Sequence, residues 1–196
     1  MSKQIEFFFD VGSPASYLAF TQLPALAERN GAQIVWKPML LGGVFHATGN
    51  SSPATVPAKG EYIRMDFKRF ADHYGVPYQH NSHFPINTMQ LMRGAVALLD
   101  TPQFMPYLRA IFSGMWIEGL DMARPEVVAE VLFRAGFDPQ QILQQCSDPL
   151  VKDKLKAITT EAVERGVFGA PTLFVGGQMF FGQDRLDWVE RTLQQA

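Results

Sequence analysis

The sequence predicts an α/β fold in which one sheet carries an all-helical insertion. Three observations lead there. The chain opens as strand, helix, strand; strand character then disappears between Lys37 and Thr172 while helical periodicity continues; and a β-hairpin followed by a helix closes it. One sheet with an insertion accounts for that order better than two independent domains. It divides the chain into a discontinuous unit of residues 1–46 and 166–196 and a helical insertion of residues 47–165.

Ile5–Asp10, with three consecutive Phe, reads as a buried strand. At Gly12 the run breaks into Ser13-Pro14-Ala15-Ser16 and turns helical. Pro14 suits a first helical turn, where its missing N–H costs nothing, with Ser13 before it as the N-cap. The helix passes through Leu18, Leu23 and Leu26, is expected to kink at Pro24, and stops at Asn30-Gly31. Gln33–Lys37 alternates about Ile34 and Trp36 as a second strand. Leu41–Pro57, rich in Gly, Ser, Thr and Pro, reads as a long loop, a feature that in compact domains is more often functional than idle. Helices follow over Lys59–Tyr74, Asn87–Leu99, Gln103–Glu118, Pro125–Ala135 and Pro149–Arg165, with a short one near Gln140–Gln145. Within the first of these, Tyr62, Met65, Phe70 and Tyr74 fall at helical spacing and read as core. Thr172–Val175 and Gln178–Phe181 flank Gly176-Gly177, a pair suited to primed hairpin turns, and a last helix covers Arg185–Gln194.

Composition narrows the function classes. With 196 residues, 47% hydrophobic and 18% charged, the chain can bury a full core, and its 16 Phe point to an aromatic one. A net charge of -2, with signs interspersed, leaves no electrostatic footprint for nucleic acid or an anionic membrane. No apolar run is long enough to span a bilayer, and Glu6 and Asp10 come too early for a secretory signal. Asn50-Ser51-Ser52 matches a glycosylation sequon, which without such a signal reads as chance. The single cysteine, Cys146, has no intramolecular disulfide partner, which fits a reducing cytoplasm. It lies in a short helix near Asp148 with nothing cationic beside it in sequence, so it reads as a buried structural thiol. His80 and His83 lack the further ligands a metal site needs, and no metal is expected. Trp36, Trp116 and Trp188 read as core, with a place in the wall of a substrate pocket as the alternative for one of them.

Three clusters could carry chemistry: Ser13-Pro14-Ala15-Ser16, the end of the loop from Asn50 to Lys59, and Phe168-Gly169-Ala170-Pro171 together with Gly182-Gln183-Asp184-Arg185. Ser13 has two readings. It caps the helix and does nothing else, or it also uses that place chemically. A helix N-terminus stabilises an anion, thiolate included, and a hydroxyl there can donate to a bound sulfur. A hydrolase is disfavoured, because no motif ties any of the four histidines to Ser13 as its base. Ala170-Pro171-Thr172 opens a strand in the manner of the cis-proline loop of thioredoxin folds. Asp184 reads either as an N-cap of the last helix or as a carboxylate for a bound ammonium.

With these stretches in view, "FFFDVGSPASYLAF", "GNSSPATVPAKGEYIRMDFKRFADHYGVP" and "GVFGAPTLFVGGQMFFGQDRLDWV", the chain resembles the 2-hydroxychromene-2-carboxylate isomerases and the kappa-class glutathione transferases. The resemblance spans nearly the whole chain and implies a thioredoxin fold with a helical insertion, of the DsbA type. In such oxidoreductases the first strand–helix seam carries Cys-x-x-Cys, where this chain has Ser13-Pro14-Ala15-Ser16. The resemblance implies glutathione as cofactor. Ser13 then matches the serine that hydrogen-bonds the sulfur, with Pro14 and Ala15 beside it. Asn50 and Lys59 match positions that contact the peptide, although a solvated Lys59 is equally in keeping with its place. Ala170, before Pro171, would supply backbone groups to the cysteinyl part, and Gln183 and Asp184 would hold the γ-glutamyl end with help from Arg185. Two departures stand out. Ala15 replaces an aromatic residue, which would make one wall roomier, and Gly12 replaces a bulky apolar residue, which would loosen the approach to the sulfur.

Three functions compete. A glutathione-dependent isomerase of a small aromatic carboxylate uses glutathione without consuming it; a kappa-type transferase or peroxidase consumes it. A thioredoxin-fold binding module with a dead redox site would also carry serines in place of cysteines, but would have no need of Asn50, Lys59 and Asp184 together. The resemblance also implies a homodimer.

Overall fold

The computed structural model describes residues 3–195. Its frame is a four-stranded sheet in the order β2-β1-β3-β4, formed by β1 (Lys3–Phe9), β2 (Ala32–Pro38), β3 (Thr172–Val175) and β4 (Gln178–Phe181). β1 and β2 run parallel, joined by α1 (Pro14–Arg29), while β3 pairs antiparallel with both β1 and β4. The two ends of the chain therefore share one sheet, as the order of elements predicts. β1 lies inside it, and Ile5, Phe7, Phe8 and Phe9 are all fully buried. A continuous apolar run is what a strand covered on both faces requires.

α1 begins and ends where local chemistry dictates. Ser13 caps it, Pro14 occupies its first turn, and Gly31 follows with φ of 60°. The helix runs unbroken through Pro24. The β3–β4 turn is built on Gly176 and Gly177, whose φ angles of 54° and 83° are those a primed turn needs.

Between β2 and β3 the chain is helical: α2 (Leu41–Thr48), α3 (Pro57–Tyr74), α4 (Met89–Leu98), α5 (Phe104–Trp116), α6 (Pro125–Arg134), α7 (Pro139–Ser147) and α8 (Pro149–Glu164). α9 (Leu186–Gln195) closes the chain after a short 3-10 turn over Gln183–Arg185. Leu41–Pro57 is not one long loop. Its first half is α2, ended by Gly49 in the left-handed conformation, and its second half holds a 3-10 turn at Pro53–Thr55. Gly42 and Gly43 argue against a helix by propensity, but the buried Val44 anchors it to the core, so packing overrides propensity.

The insertion is fastened to the sheet by aromatic rings. Phe112 of α5 lies 4.8 Å from Phe20 of α1 and 6.3 Å from Phe9 of β1, centroid to centroid. Trp116 is fully buried and its indole N–H donates to Val11 O at 2.8 Å. On the opposite face Arg165 stacks over Phe174 at 3.9 Å and pairs with Glu6 and Glu161. The stripe along α3 is not core as the spacing suggests: Tyr62 and Met65 are exposed, and Phe70 and Tyr74 are half-buried. α3 packs mainly on α1 and the 3-10 turn before it, so only part of its apolar stripe finds a partner. Trp188 is likewise exposed on α9, whereas Trp116 belongs to the core and Trp36 packs on that core through Phe7, Phe9, Phe20 and Phe104.

Candidate functional site

The C-terminal end of β1 breaks into α1 at a seam held by one buried carboxylate. Asp10 accepts from Gly12 N at 2.9 Å, Leu41 N at 2.8 Å and Thr88 Oγ1 at 2.9 Å. Those donors come from the seam, from the start of α2 and from the residue preceding α4. One side chain thus ties three segments that meet there. Burial pushes its pKa up, and the three hydrogen bonds to the charged form oppose that shift. Asp10 is a residue that motif reasoning missed. The signal available was a lone acid ending the run Phe7-Phe8-Phe9, where a charge has to be satisfied.

Gly12 follows from the same arrangement. A Cβ there would lie 2.6 Å from the Thr88 methyl. The space that a bulky residue would occupy is filled by Thr88, so Gly12 does not loosen the approach to the seam.

Ser13 comes next and is 4% exposed. Its N–H donates to Asp10 O at 3.0 Å, and its Oγ accepts from Ser16 N at 3.1 Å, the capping bond. The Ser13 hydroxyl donates in turn to Ala170 O at 2.9 Å. The Ala170–Pro171 peptide is cis. Ser13 is therefore both a cap and a direct link to the cis-proline loop. Pro14 and Ala15 are buried beside it, and Ser16 Oγ is buried with no partner among the described residues.

The loop from Phe168 to Pro171 is held from several directions. Asn50 Nδ2 donates to Phe168 O at 2.8 Å, Thr172 Oγ1 to Gly169 O at 2.9 Å, and Gly182 N to Pro171 O at 3.0 Å. A Cβ at Gly169 would lie 2.7 Å from the Phe181 ring, so a larger residue there would have to displace that ring. That ring packs on Phe168 with centroids 4.6 Å apart. Among the described residues Ala170 N–H has no acceptor, which leaves a backbone donor beside the Ser13 hydroxyl.

Gln183, Asp184 and Arg185 form the 3-10 turn that follows Gly182. Gln183 is buried, and its carbonyl accepts from the Tyr74 hydroxyl at 3.0 Å. Asp184 and Arg185 pair with each other at 3.3 Å. Burial, and then the charges of Asp184 and Asp187, push the Tyr74 phenol up to about 12, so it is a neutral donor. Tyr74 is a second residue that sequence reasoning placed only in the core. Of the sequence-predicted residues, Ser13 is bonded directly to Ala170, with Pro14 and Ala15 next to it in the chain, and Asn50 is bonded to the Phe168–Pro171 loop. Gln183 to Arg185 follow Gly182, whose N–H donates to Pro171 O, and their own side chains make no bond to Ser13 or Ala170 among the described residues. Lys59 is exposed in the first turn of α3 and makes no hydrogen bond to the others.

Cys146 is away from this site. It is buried, donates to Gln90 O at 3.5 Å and has its thiol pushed up to about 11. A cation does stand near it, contrary to the expectation from sequence: Arg93 favours the thiolate, but burial outweighs it. Among the described residues no three His, Cys, Asp or Glu side chains stand together as a metal site would need. No described helix is long and apolar enough to cross a membrane.

Comparison with known proteins places this fold in a family. The DsbA-like thioredoxin domain matches residues 4–194. A 2-hydroxychromene-2-carboxylate isomerase from Sphingobium xenophagum is 32% identical over 98% of this chain and 99% of its own. Glutathione S-transferase kappa 1 from Homo sapiens is 28% identical over 98% of this chain and 92% of its own. The solved structure of a 2-hydroxychromene-2-carboxylate isomerase superposes with a TM-score of 0.84 at 29% identity, covering 98% of this chain and 95% of the other. The chain belongs to the DsbA-like thioredoxin-domain family, in the group that contains the 2-hydroxychromene-2-carboxylate isomerases and the kappa glutathione transferases.

Proposed function

We propose that the protein is a glutathione-dependent isomerase that interconverts 2-hydroxychromene-2-carboxylate and its trans ring-opened isomer. One observation carries this reading. The position where a disulfide oxidoreductase keeps a nucleophilic sulfur holds the hydroxyl of Ser13, within hydrogen-bond reach of the cis-proline loop, and Cys146 is too buried and too basic to substitute. The seam can bind a thiol but cannot supply one.

The residues present fit glutathione. Ser13 would hold the sulfur, with Pro14 and Ala15 forming the wall beside it, and the free N–H of Ala170 offers strand-like pairing to the cysteinyl unit before Pro171. The buried Gln183 and the exposed Asp184, with Arg185, would take the γ-glutamyl end, where a carboxylate suits an ammonium. Asn50 and Lys59 would serve the remaining peptide. When bound, glutathione supplies a thiolate able to add reversibly to a conjugated side chain, so that the bond left single can rotate before elimination. The chain's part is to favour that anion. The Ser13 hydroxyl turns from Ala170 O to the sulfur, and the partial positive charge of the α1 N-terminus acts with it. A free thiol titrates near pKa ~8.5, and stabilising its anion by about 2 kcal/mol brings it to about neutral.

The test follows the ultraviolet spectrum of 2-hydroxychromene-2-carboxylate with and without sub-stoichiometric glutathione. Turnover that requires glutathione and does not consume it is expected. Consumption of glutathione in a conjugate instead would favour the transferase reading that the kappa relatives support. Neither turnover nor glutathione binding would leave a non-catalytic binding module.

A further inference from the structure

Away from the seam the structure gathers a second set of reactive side chains. Arg64, Met65, Lys68 and Arg69 fall on one face of α3 by their spacing. Together with Tyr78 and His80 they line an open cavity of about 460 Å³, in which no carboxylate forms a wall. Among the described residues two polar atoms there have no partner: the Tyr78 hydroxyl and His80 Nδ1 are buried and make no hydrogen bond. Buried polar atoms are ordinarily paired, and an orphan is a standing cost that a ligand can relieve.

The Tyr78 ring is fixed from behind. It stacks on Trp116 at 6.3 Å and on Tyr17 at 6.5 Å, with Phe67 edge-on at 6.5 Å. Burial raises the Tyr78 phenol well out of the range of neutral pH, against the opposing pull of Arg64. Burial first, and Arg64 second, lower the His80 imidazole against the smaller opposing pull of Glu61, so both groups are neutral hydrogen-bonding partners at pH 7. Among the described residues the cations are held within α3, Arg64 by Glu61 at 3.2 Å, Arg69 by Asp66 at 3.7 Å and Lys68 by Asp72. Such exposed pairs are weak and readily exchanged for a ligand.

We propose that this cavity is a second binding site, for a small aromatic carboxylate. The carboxylate accepts from the Tyr78 hydroxyl and from the Nδ1–H tautomer of His80, with the Arg64 guanidinium as its counter-charge. The ring lies against the Met65 thioether and the edge of Tyr78, contacts that favour an aromatic group over an aliphatic one. Arg64 and Met65 are half exposed, at 49% and 53%, and turn aside to admit it to the two shielded atoms. Tyr17, stacked on Tyr78, lies one helical turn beyond Ser13, so the back wall of the cavity continues into the helix that Ser13 caps. Binding here is independent of the glutathione reading.

Isothermal titration of the full chain with benzoate, in the absence of glutathione, tests it. Inorganic phosphate and cyclohexanecarboxylate serve as comparison ligands. Saturable benzoate binding is expected, weakened about tenfold in Tyr78→Phe and in Arg64→Gln, and unchanged in Lys154→Gln, a surface cation of α8. Tyr78→Phe removes a hydroxyl without a partner, so its fold is retained, as circular dichroism would verify. The His80 ring-proton resonance should move with occupancy. Absence of saturable binding overturns the proposal. So does full-strength binding by either variant, or phosphate or cyclohexanecarboxylate binding as tightly as benzoate.

Discussion

The Ser13 hydroxyl donates to the carbonyl of Ala170 at 2.9 Å, joining residues 157 positions apart in the chain. The group that caps α1 is therefore the group that touches the cis-proline loop. Replacing it acts on both. Ser13→Ala is expected to cost about 1 kcal/mol of stability as a lost cap. Activity should fall far more, about a hundredfold, as a lost anion-stabilising donor. On the proposed function, the thiolate absorbance of glutathione titrated against pH in the presence of the variant should show the thiol returning toward its free pKa of about 8.5. An unchanged titration would remove Ser13 from the chemistry and leave it a cap.

Asp10 is the seam's anchor. Asp10→Ala strands the N–H groups of Gly12 and Leu41 and the hydroxyl of Thr88 in a buried site. At about 1–3 kcal/mol for each orphaned group, a loss of at least 3 kcal/mol is expected in urea unfolding. A loss under 1 kcal/mol would show that water reaches the site and replaces the carboxylate.

Gly12 and Thr88 are sterically coupled. Gly12→Ala puts a Cβ 2.6 Å from the Thr88 methyl and should destabilise by about 1–3 kcal/mol. Thr88→Ser deletes that methyl and keeps the hydroxyl that donates to Asp10. The double variant should therefore recover most of the loss, and a double-mutant cycle measures the coupling. Strict additivity would refute the contact.

Glu190 makes stability depend on acid. Hydrogen bonds from Arg29 and then Asn30 lower its carboxyl to about 2 from 4.5. A depressed carboxylate contributes stability that is present above the unfolded pKa and lost as pH falls through the folded one. The window is thus about pH 4.5 down to 2. Glu190→Gln should flatten the thermal midpoint against pH across that window. The Arg29 partner is half exposed, so solvent screening keeps the effect small.

Cys146 should be inert. With its thiol raised to about 11, alkylation by iodoacetamide at pH 7.5 is expected to be slow until the protein unfolds. Cys146→Ser should keep full activity. Rapid labelling of the native protein would contradict the burial.

Local chemistry was legible wherever a residue's job is discharged within a few positions of itself. The Ser13 cap, Pro14 in the first turn, the stop at Asn30-Gly31 and the Gly176-Gly177 turn all follow from backbone hydrogen bonds and allowed φ angles. Period and order then led to one sheet with helices between its halves. The helix over Leu41–Thr48 was hidden because its two glycines are poor helix formers and only burial of Val44 reveals why it forms. The exposure of Tyr62 and Met65 was hidden for the converse reason: an apolar stripe says that a face can be buried, not that a partner is there.

By itself, then, the sequence determined most of the elements, with their caps and turns, and singled out Ser13 and the residues grouped with it as candidates. Tertiary structure alone decided that Ser13 meets Ala170, that Asn50 holds Phe168, and that Asp10 is satisfied by donors from three segments. It also decided that Thr88 fills the space beside Gly12, and that among the described residues the Tyr78 hydroxyl and His80 Nδ1 are left without a partner beside the cations of α3. The physical reason is range. Propensity and capping act over a few residues and leave a periodic trace. A buried polar group is instead satisfied or stranded by whatever the packed core brings within about 3 Å, and no pattern along the chain encodes that.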